Sequence, residues 1–169
     1  TVLIAVEGYR YGRHEVSRVD ELAAIRSGLP SLLHTVVVPH PDAPVSPDVI
    51  TWDELLAESG PLEFAQVAPE HPLYVLYSSG TTGLPKPIVH GHGGVLLEHL
   101  KVMGLHGDMR ADDRFFWFTS TNWIMWNMTV SALLQGCTVL LSDGNPGWPD
   151  LGTLWRFVSR ERATVSYTH

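Results

Sequence analysis

The stretch LYVLYSSGTTGLPKPIVHGHGG, residues 73–94, contains the strongest pattern in the chain. It opens with an apolar, β-forming run over 73–77, which predicts a strand buried on both faces. A loop rich in Ser, Thr and Gly follows directly, and its single lysine, Lys86, comes after a proline. Hydroxyl groups, freely turning glycine backbone and a mobile positive charge are suited to binding anions. The stretch therefore predicts a strand that leads into a phosphate-binding loop.

The loop differs from the Walker-type phosphate loop, in which Gly-Lys-Ser/Thr opens a helix. Here Gly83 is followed by Leu-Pro-Lys-Pro, so the Gly-Lys pair and the magnesium-binding hydroxyl are missing and an extended segment follows. A Walker-type NTPase is thus disfavoured. The residues alone also allow a glycine-rich hairpin between two strands. The candidate phosphate-binding residues are Ser78, Ser79, Gly80, Thr81, Thr82, Gly83 and Lys86.

Length, charge and cysteine content limit the possible functions. The 169 residues fit one domain of about 100–200 residues. A net charge of −7 argues against a broad nucleic-acid or anionic-membrane surface. No apolar run reaches the roughly 20 residues that cross a bilayer, and the start does not resemble a signal peptide. The single cysteine, Cys137, is predicted to be a buried structural thiol, and the lack of a cysteine partner in the chain indicates a reducing compartment such as the cytoplasm.

Strand-like and helix-like segments alternate along the chain, which predicts an α/β fold with a mostly parallel sheet and flanking helices. Capping-box spacing predicts helix starts at Ser17 and at Thr51, the latter paired with Glu54. Leu151, Leu154, Trp155 and Val158 form one helical apolar stripe near the end of the chain. The predicted strands are 1–6, 14–16, 34–38, 73–77, 87–90, 113–118, 138–141 and 163–169, and the predicted helices are 17–28, 51–56, 93–105, 122–134 and one that starts at 149.

Two further groups of residues are candidates for ligand binding. Arg10 and Arg13 lie three residues apart in a polar turn, a spacing that by itself also fits a solvated hairpin tip. Trp123, Ile124 and Met125 follow the strand over 113–118, and ligands favour the carboxyl ends of parallel strands. Their spacing alone equally fits helix–sheet packing.

The histidines near the loop do not predict a metal site. They are spread over a strand, a glycine-rich turn and a helix, without the spacing of known ligand sets. Polar loop or capping roles are favoured for His90, His92, His99 and His106.

The ten residues YSSGTTGLPK, 77–86, resemble the signature loop of the adenylate-forming enzymes, which include acyl-CoA synthetases, luciferases and peptide-synthetase adenylation domains. The resemblance covers most of the chain. It is best with short-chain acyl-CoA synthetases, through GTTGLPKPIVHGHGG, NWIMWN and LLSDGNP. It implies an acid–thiol ligase that joins a carboxylate, with acetoacetate favoured, to ATP as an acyl-adenylate and then transfers the acyl group to coenzyme A. Magnesium is implied as the ion that shares the phosphate charge.

The resemblance also implies roles for the candidate residues. Lys86 would be catalytic and, with the loop, would hold the β- and γ-phosphates as pyrophosphate leaves. Arg10 and Arg13 would contact the phosphates of coenzyme A. Trp123, Ile124 and Met125 would line the acyl pocket, although the family's Gly before the Trp is Asn here. No residue of the chain is assigned to a metal.

The family has further motifs for adenine, ribose and magnesium, and a mobile C-terminal domain, beyond the region that these residues match. We therefore expect residues 1–169 to be a partial AMP-binding domain, inactive alone, whose partners are small substrates and the rest of the same chain. The expected parts are roughly 1–72, with the arginine turn and a Pro-rich loop, and 73–169, with the phosphate loop and acyl pocket. A noncatalytic nucleotide- or CoA-binding module is the alternative.

Overall fold

A computed structural model describes residues 1–40, 45–78 and 83–167. The chain forms two compact units, Thr1–Glu63 and Phe64–His169; the sequence-based division near residue 72 stays a prediction. The first unit contains β1 (Val2–Val6), β2 (Gly8–Tyr11), β3 (His14–Ser17), α1 (Val19–Gly28), β4 (His34–Val38), β5 (Ile50–Thr51) and α2 (Trp52–Ala57). The second contains β6 (Pro72–Ser78), β7 (Lys86–Gly91), α3 (His92–Leu100), β8 (Arg114–Trp117), α4 (Ile124–Ser131), β9 (Thr138–Leu140), α5 (Thr153–Arg160) and β10 (Val165–Tyr167).

The first unit is built on a parallel sheet in the order β1–β4–β5. Ile4 pairs with Val36, and Val36 pairs with Ile50, so β4 is the central strand. Val36 and Val37 are buried, as is Leu22 of α1. The apolar HTVVV run of β4 thus forms the centre of this small core, because a central strand has neighbours on both sides.

The two helix caps predicted in this unit have different outcomes. At α2 the Thr51 hydroxyl accepts the Glu54 N–H, and the Glu54 carboxylate accepts the Thr51 N–H at 2.7 Å. The predicted capping box is confirmed. The hydrogen bonds that the Thr51 N–H and hydroxyl donate to the carboxylate lower the pKa of Glu54. The predicted Ser17 cap of α1 is wrong. β3 continues through Ser17, which pairs with Gly8, and the helix begins one residue after an Arg18 that makes no side-chain cap.

The second unit is built on a parallel sheet in the order β10–β8–β9. Successive residues of β8 point to opposite faces. Phe115 packs into a core cluster with residues that include Met103 and Cys137, whereas the ring of Phe116 lies 5.0 Å from that of Phe157 in α5. Both phenylalanines are buried. The predicted apolar strand is confirmed, and it is covered on both faces.

Cys137 lies in this core, as predicted. Its thiol donates to the carbonyl oxygen of Arg110, and burial raises the pKa of the thiol. The cysteine is free and buried, which is the environment of an inert structural thiol.

One prediction about burial is wrong, and another holds only in part. β6 is not covered on both faces, since it pairs with β7 in a two-stranded antiparallel sheet and Tyr77 is 70% exposed. Of the predicted apolar stripe, Leu154 and Val158 are half-buried, whereas Leu151, which precedes α5, is 87% exposed, and Phe157 makes the ring contact with β8. Apolar runs indicate which residues can be buried, but the packing of other elements decides which ones are.

The α/β class is confirmed. The two three-stranded sheets are wholly parallel, and the two hairpins, β2–β3 and β6–β7, are antiparallel. Helix α3 continues into a π-helical segment over Lys101–His106, close to the predicted helix end. No helix in the described parts of the chain has both the length and the apolar character to cross a membrane.

Candidate active site

The ends of the predicted phosphate loop are held by the β6–β7 hairpin. Ser78, the last residue of β6, pairs with Lys86, the first residue of β7. The loop residues Ser79, Gly80, Thr81 and Thr82 lie outside the described residues. The two strands that flank the loop form a hairpin, which is compatible with the anion-binding composition of the loop sequence.

Lys86 carries an available positive charge at the base of this loop. Its side chain is exposed, and among the described residues it makes no ion pair or hydrogen bond. The chain's other lysine, Lys101, forms a 2.6 Å ion pair with Glu98. Only Lys86 therefore combines a position at the loop with an ammonium group that has no competing carboxylate among the described residues.

The glycines after the loop have a packing role that the sequence did not reveal. A Cβ on Gly91 would lie 2.9 Å from the carbonyl oxygen of Pro69, and one on Gly93 would lie 2.7 Å from the Pro69 Cβ. The Gly93 N–H donates to the Pro69 carbonyl, and the His92 N–H donates to the His71 carbonyl. The start of α3 is thereby fastened to the segment that leads into β6. Gly83, in contrast, has open space where a Cβ would be.

The predicted acyl-pocket residues lie at the carboxyl end of β8. Trp123 occupies the N-cap position of α4, and its N–H donates to the Ser120 carbonyl at 3.1 Å. The Ser120 hydroxyl donates to the Asn122 side-chain oxygen at 2.7 Å, which ties the turn together. Trp123 and Ile124 are 62% and 47% exposed, and Met125 is half-buried. Helix–sheet packing does not account for Trp123 and Ile124, so both remain available for a ligand.

The two arginines lie on the β2–β3 hairpin of the first unit. Arg10 is in β2 opposite Glu15 of β3, and its Nε donates to the Glu15 carboxylate at 2.5 Å. Arg13 is in the turn, is exposed and has no partner among the described residues. The base of the hairpin is anchored, since the Arg18 N–H donates to the Glu7 carbonyl, and the buried Glu7 carboxylate accepts the Ser46 N–H at 2.8 Å.

One of the histidines near the loop, His92, makes a ring contact. The rings of His71 and His92 lie 5.9 Å apart, and burial lowers the pKa of His99. Across residues 1–40, 45–78 and 83–167, no group of three or more His, Cys, Asp or Glu side chains is arranged to hold a metal ion.

Comparison with known proteins identifies the class of protein that has this fold and this loop. The chain belongs to the AMP-binding enzyme family, which it matches over residues 1–169. The predicted membership of the adenylate-forming family is confirmed.

Among its relatives are acetoacetyl-CoA synthetases. The one from Gallus gallus is 37% identical over 97% of this chain, and the one from Rhizobium meliloti (strain 1021) is 40% identical over 97%. The solved structure of acetoacetyl-CoA synthetase from Streptomyces lividans superposes with a TM-score of 0.93, at 48% identity, over 98% of this chain. In each case the chain spans 26% of the relative's length, about a quarter.

Proposed function

We propose that the chain is part of an AMP-forming acyl-CoA synthetase, with acetoacetate as the favoured acid. Lys86 carries the proposal, as a cation that has no ion-pair partner among the described residues and lies at the base of a loop whose composition suits phosphate. The names of the most similar relatives support acetoacetate as the acid. The chain spans about a quarter of those relatives, so the activity is assigned to the full-length protein.

The chemistry consists of two transfers. In the first, a carboxylate oxygen attacks the α-phosphorus of ATP, the acyl-adenylate forms, and pyrophosphate leaves with the bond's electron pair. Lys86 and the loop hydroxyls hold the β- and γ-phosphates and stabilise the charge that builds up on them. In the second, the thiol of coenzyme A attacks the acyl carbonyl and AMP leaves. Arg10 and Arg13 contact the phosphates of coenzyme A, as guanidinium groups do.

Magnesium accompanies ATP in this proposal, but no residue is assigned to it. The described residues contain no cluster of carboxylates or histidines that would form its ligand set.

The proposal is tested with the full-length protein, acetoacetate, ATP and coenzyme A. AMP, pyrophosphate and an acyl-CoA are expected in equal amounts, with acetate and propionate as comparison acids. The 169-residue chain alone is expected to give no turnover; a fragment that completed the reaction would contradict this assignment. A full-length protein that bound ATP or coenzyme A but formed no AMP would instead be a noncatalytic binding module.

We expect the pocket residues to control acid size. Ile124→Trp should raise the KM for acetoacetate by about 10-fold or more, because a short acid and an added indole compete for the same space. A change of one methylene in an apolar pocket is already worth about 1–3 kcal/mol. The KM for ATP should stay unchanged. Val130→Trp, an exposed position on the same helix, is the control. Equal changes in the KM for acetoacetate and the KM for ATP would show that Ile124 does not line the acyl pocket.

We further propose that the enzyme works in the cytoplasm on small molecules and does not bind nucleic acid. A buried, unpaired cysteine suits a reducing compartment. The net charge of −7 is unfavourable for a polyanion.

A further inference from the structure

The two arginines of the β2–β3 hairpin have different surroundings. The Glu15 carboxylate uses one oxygen to accept the Arg10 Nε–H at 2.5 Å, and its other oxygen lies 3.0 Å from Nε2 of His40. The His40 side chain is 13% exposed, whereas that of Arg10 is 70% exposed. Arg13, in the turn, has no carboxylate partner among the described residues.

Glu15 acts on Arg10 in two ways. Its carboxylate occupies the guanidinium nitrogen that faces it, so a phosphate must share or displace that hydrogen bond. Its negative charge also repels an approaching phosphate. Because His40 lies against the second oxygen, the carboxylate is held from two sides and is less free to turn away.

The strength of this competition has an upper limit. Exposed ion pairs are weak, because water and salt screen the charges and two long side chains must be held in one geometry. A phosphate can therefore still reach Arg10, at a reduced affinity. Arg13 pays no such penalty, because no carboxylate in the described residues must be displaced from it.

We propose that Glu15 tunes the affinity of this hairpin for coenzyme A by competing with its phosphates for Arg10, and that Arg13 is the principal phosphate contact. The inference rests on the proposed function, in which both arginines contact coenzyme A. It adds Glu15 to that site as a residue that lowers the affinity for coenzyme A, whereas the arginines raise it.

The test measures the KM for coenzyme A in the full-length enzyme at saturating ATP and acid. Arg13→Ala should raise it by about 10-fold, in keeping with the loss of a charged hydrogen bond. Arg10→Ala should raise it by less than about 3-fold, and Glu15→Gln should lower it by about 3-fold, as expected for an exposed ion pair. In the Glu15→Gln background, Arg10→Ala should cancel the gain. The KM values for ATP and acid should not change.

Glu21→Gln is the matched control, because Glu21 forms a similar exposed pair with Arg18 in the same unit. It should leave the KM for coenzyme A unchanged. If Arg13→Ala raises this KM while Glu15→Gln leaves it unchanged or raises it, the role of Glu15 is overturned and the coenzyme A site stands. If neither arginine variant alters it, the coenzyme A site on the hairpin fails, and the role of Glu15 fails with it.

Discussion

Replacing Lys86 with Ala in the full-length protein is expected to slow acyl-adenylate formation by about 10²–10³-fold, the usual effect of removing one preorganised charge-stabilising group. The lysine begins β7 directly opposite Ser78, so the backbone of the hairpin fixes its position beside the loop. Its charge matters most while pyrophosphate is leaving. The measurement is ATP–pyrophosphate exchange driven by acetoacetate, which reports the first transfer alone.

Lys101→Ala is the control, since it removes the chain's other lysine. Lys101 is paired with Glu98 at the end of α3, and its loss should leave the exchange rate unchanged. Lys86→Arg keeps the charge but replaces a compact ammonium by a planar fork, so we expect only partial activity. Unchanged exchange in Lys86→Ala would show that the proposed phosphate contact is wrong.

Replacing Phe116 with Ala should lower the free energy of unfolding by about 3–5 kcal/mol, the usual cost of emptying a buried phenylalanine site. Phe116 has no exposed surface, lies in the central strand of the β10–β8–β9 sheet and packs against Phe157. The cavity would therefore open between the sheet and α5. Urea unfolding followed by tryptophan fluorescence measures the change.

Leu151→Ala provides the comparison for this stability change. Leu151 belongs to the predicted apolar stripe, yet it precedes α5 and is almost fully exposed. Its removal should change the free energy of unfolding by less than about 0.5 kcal/mol, as for most surface substitutions. Similar losses for Leu151→Ala and Phe116→Ala would mean that Leu151 is buried, in conflict with its exposed position before α5.

Features that depend on neighbours in sequence could be predicted. The capping box of Thr51 and Glu54 needs only residues three positions apart. The strand over Arg114–Trp117 follows from its run of aromatic residues. Ser17 shows the limit of such signals, because pairing with Gly8 extends the strand and overrides the predicted cap.

By itself, the sequence determined the α/β class, the family and the composition of the phosphate loop, because each is encoded in short patterns of residue type. Tertiary structure decided which residues of one pattern differ in their contacts. Pro69 requires Gly91 and Gly93 to lack side chains. Glu15, across the hairpin, pairs with Arg10 and not with Arg13, so the two arginines differ in their electrostatic surroundings. Both effects arise because folding brings together groups that no short pattern relates, and packing distance and electrostatic pairing depend on that proximity.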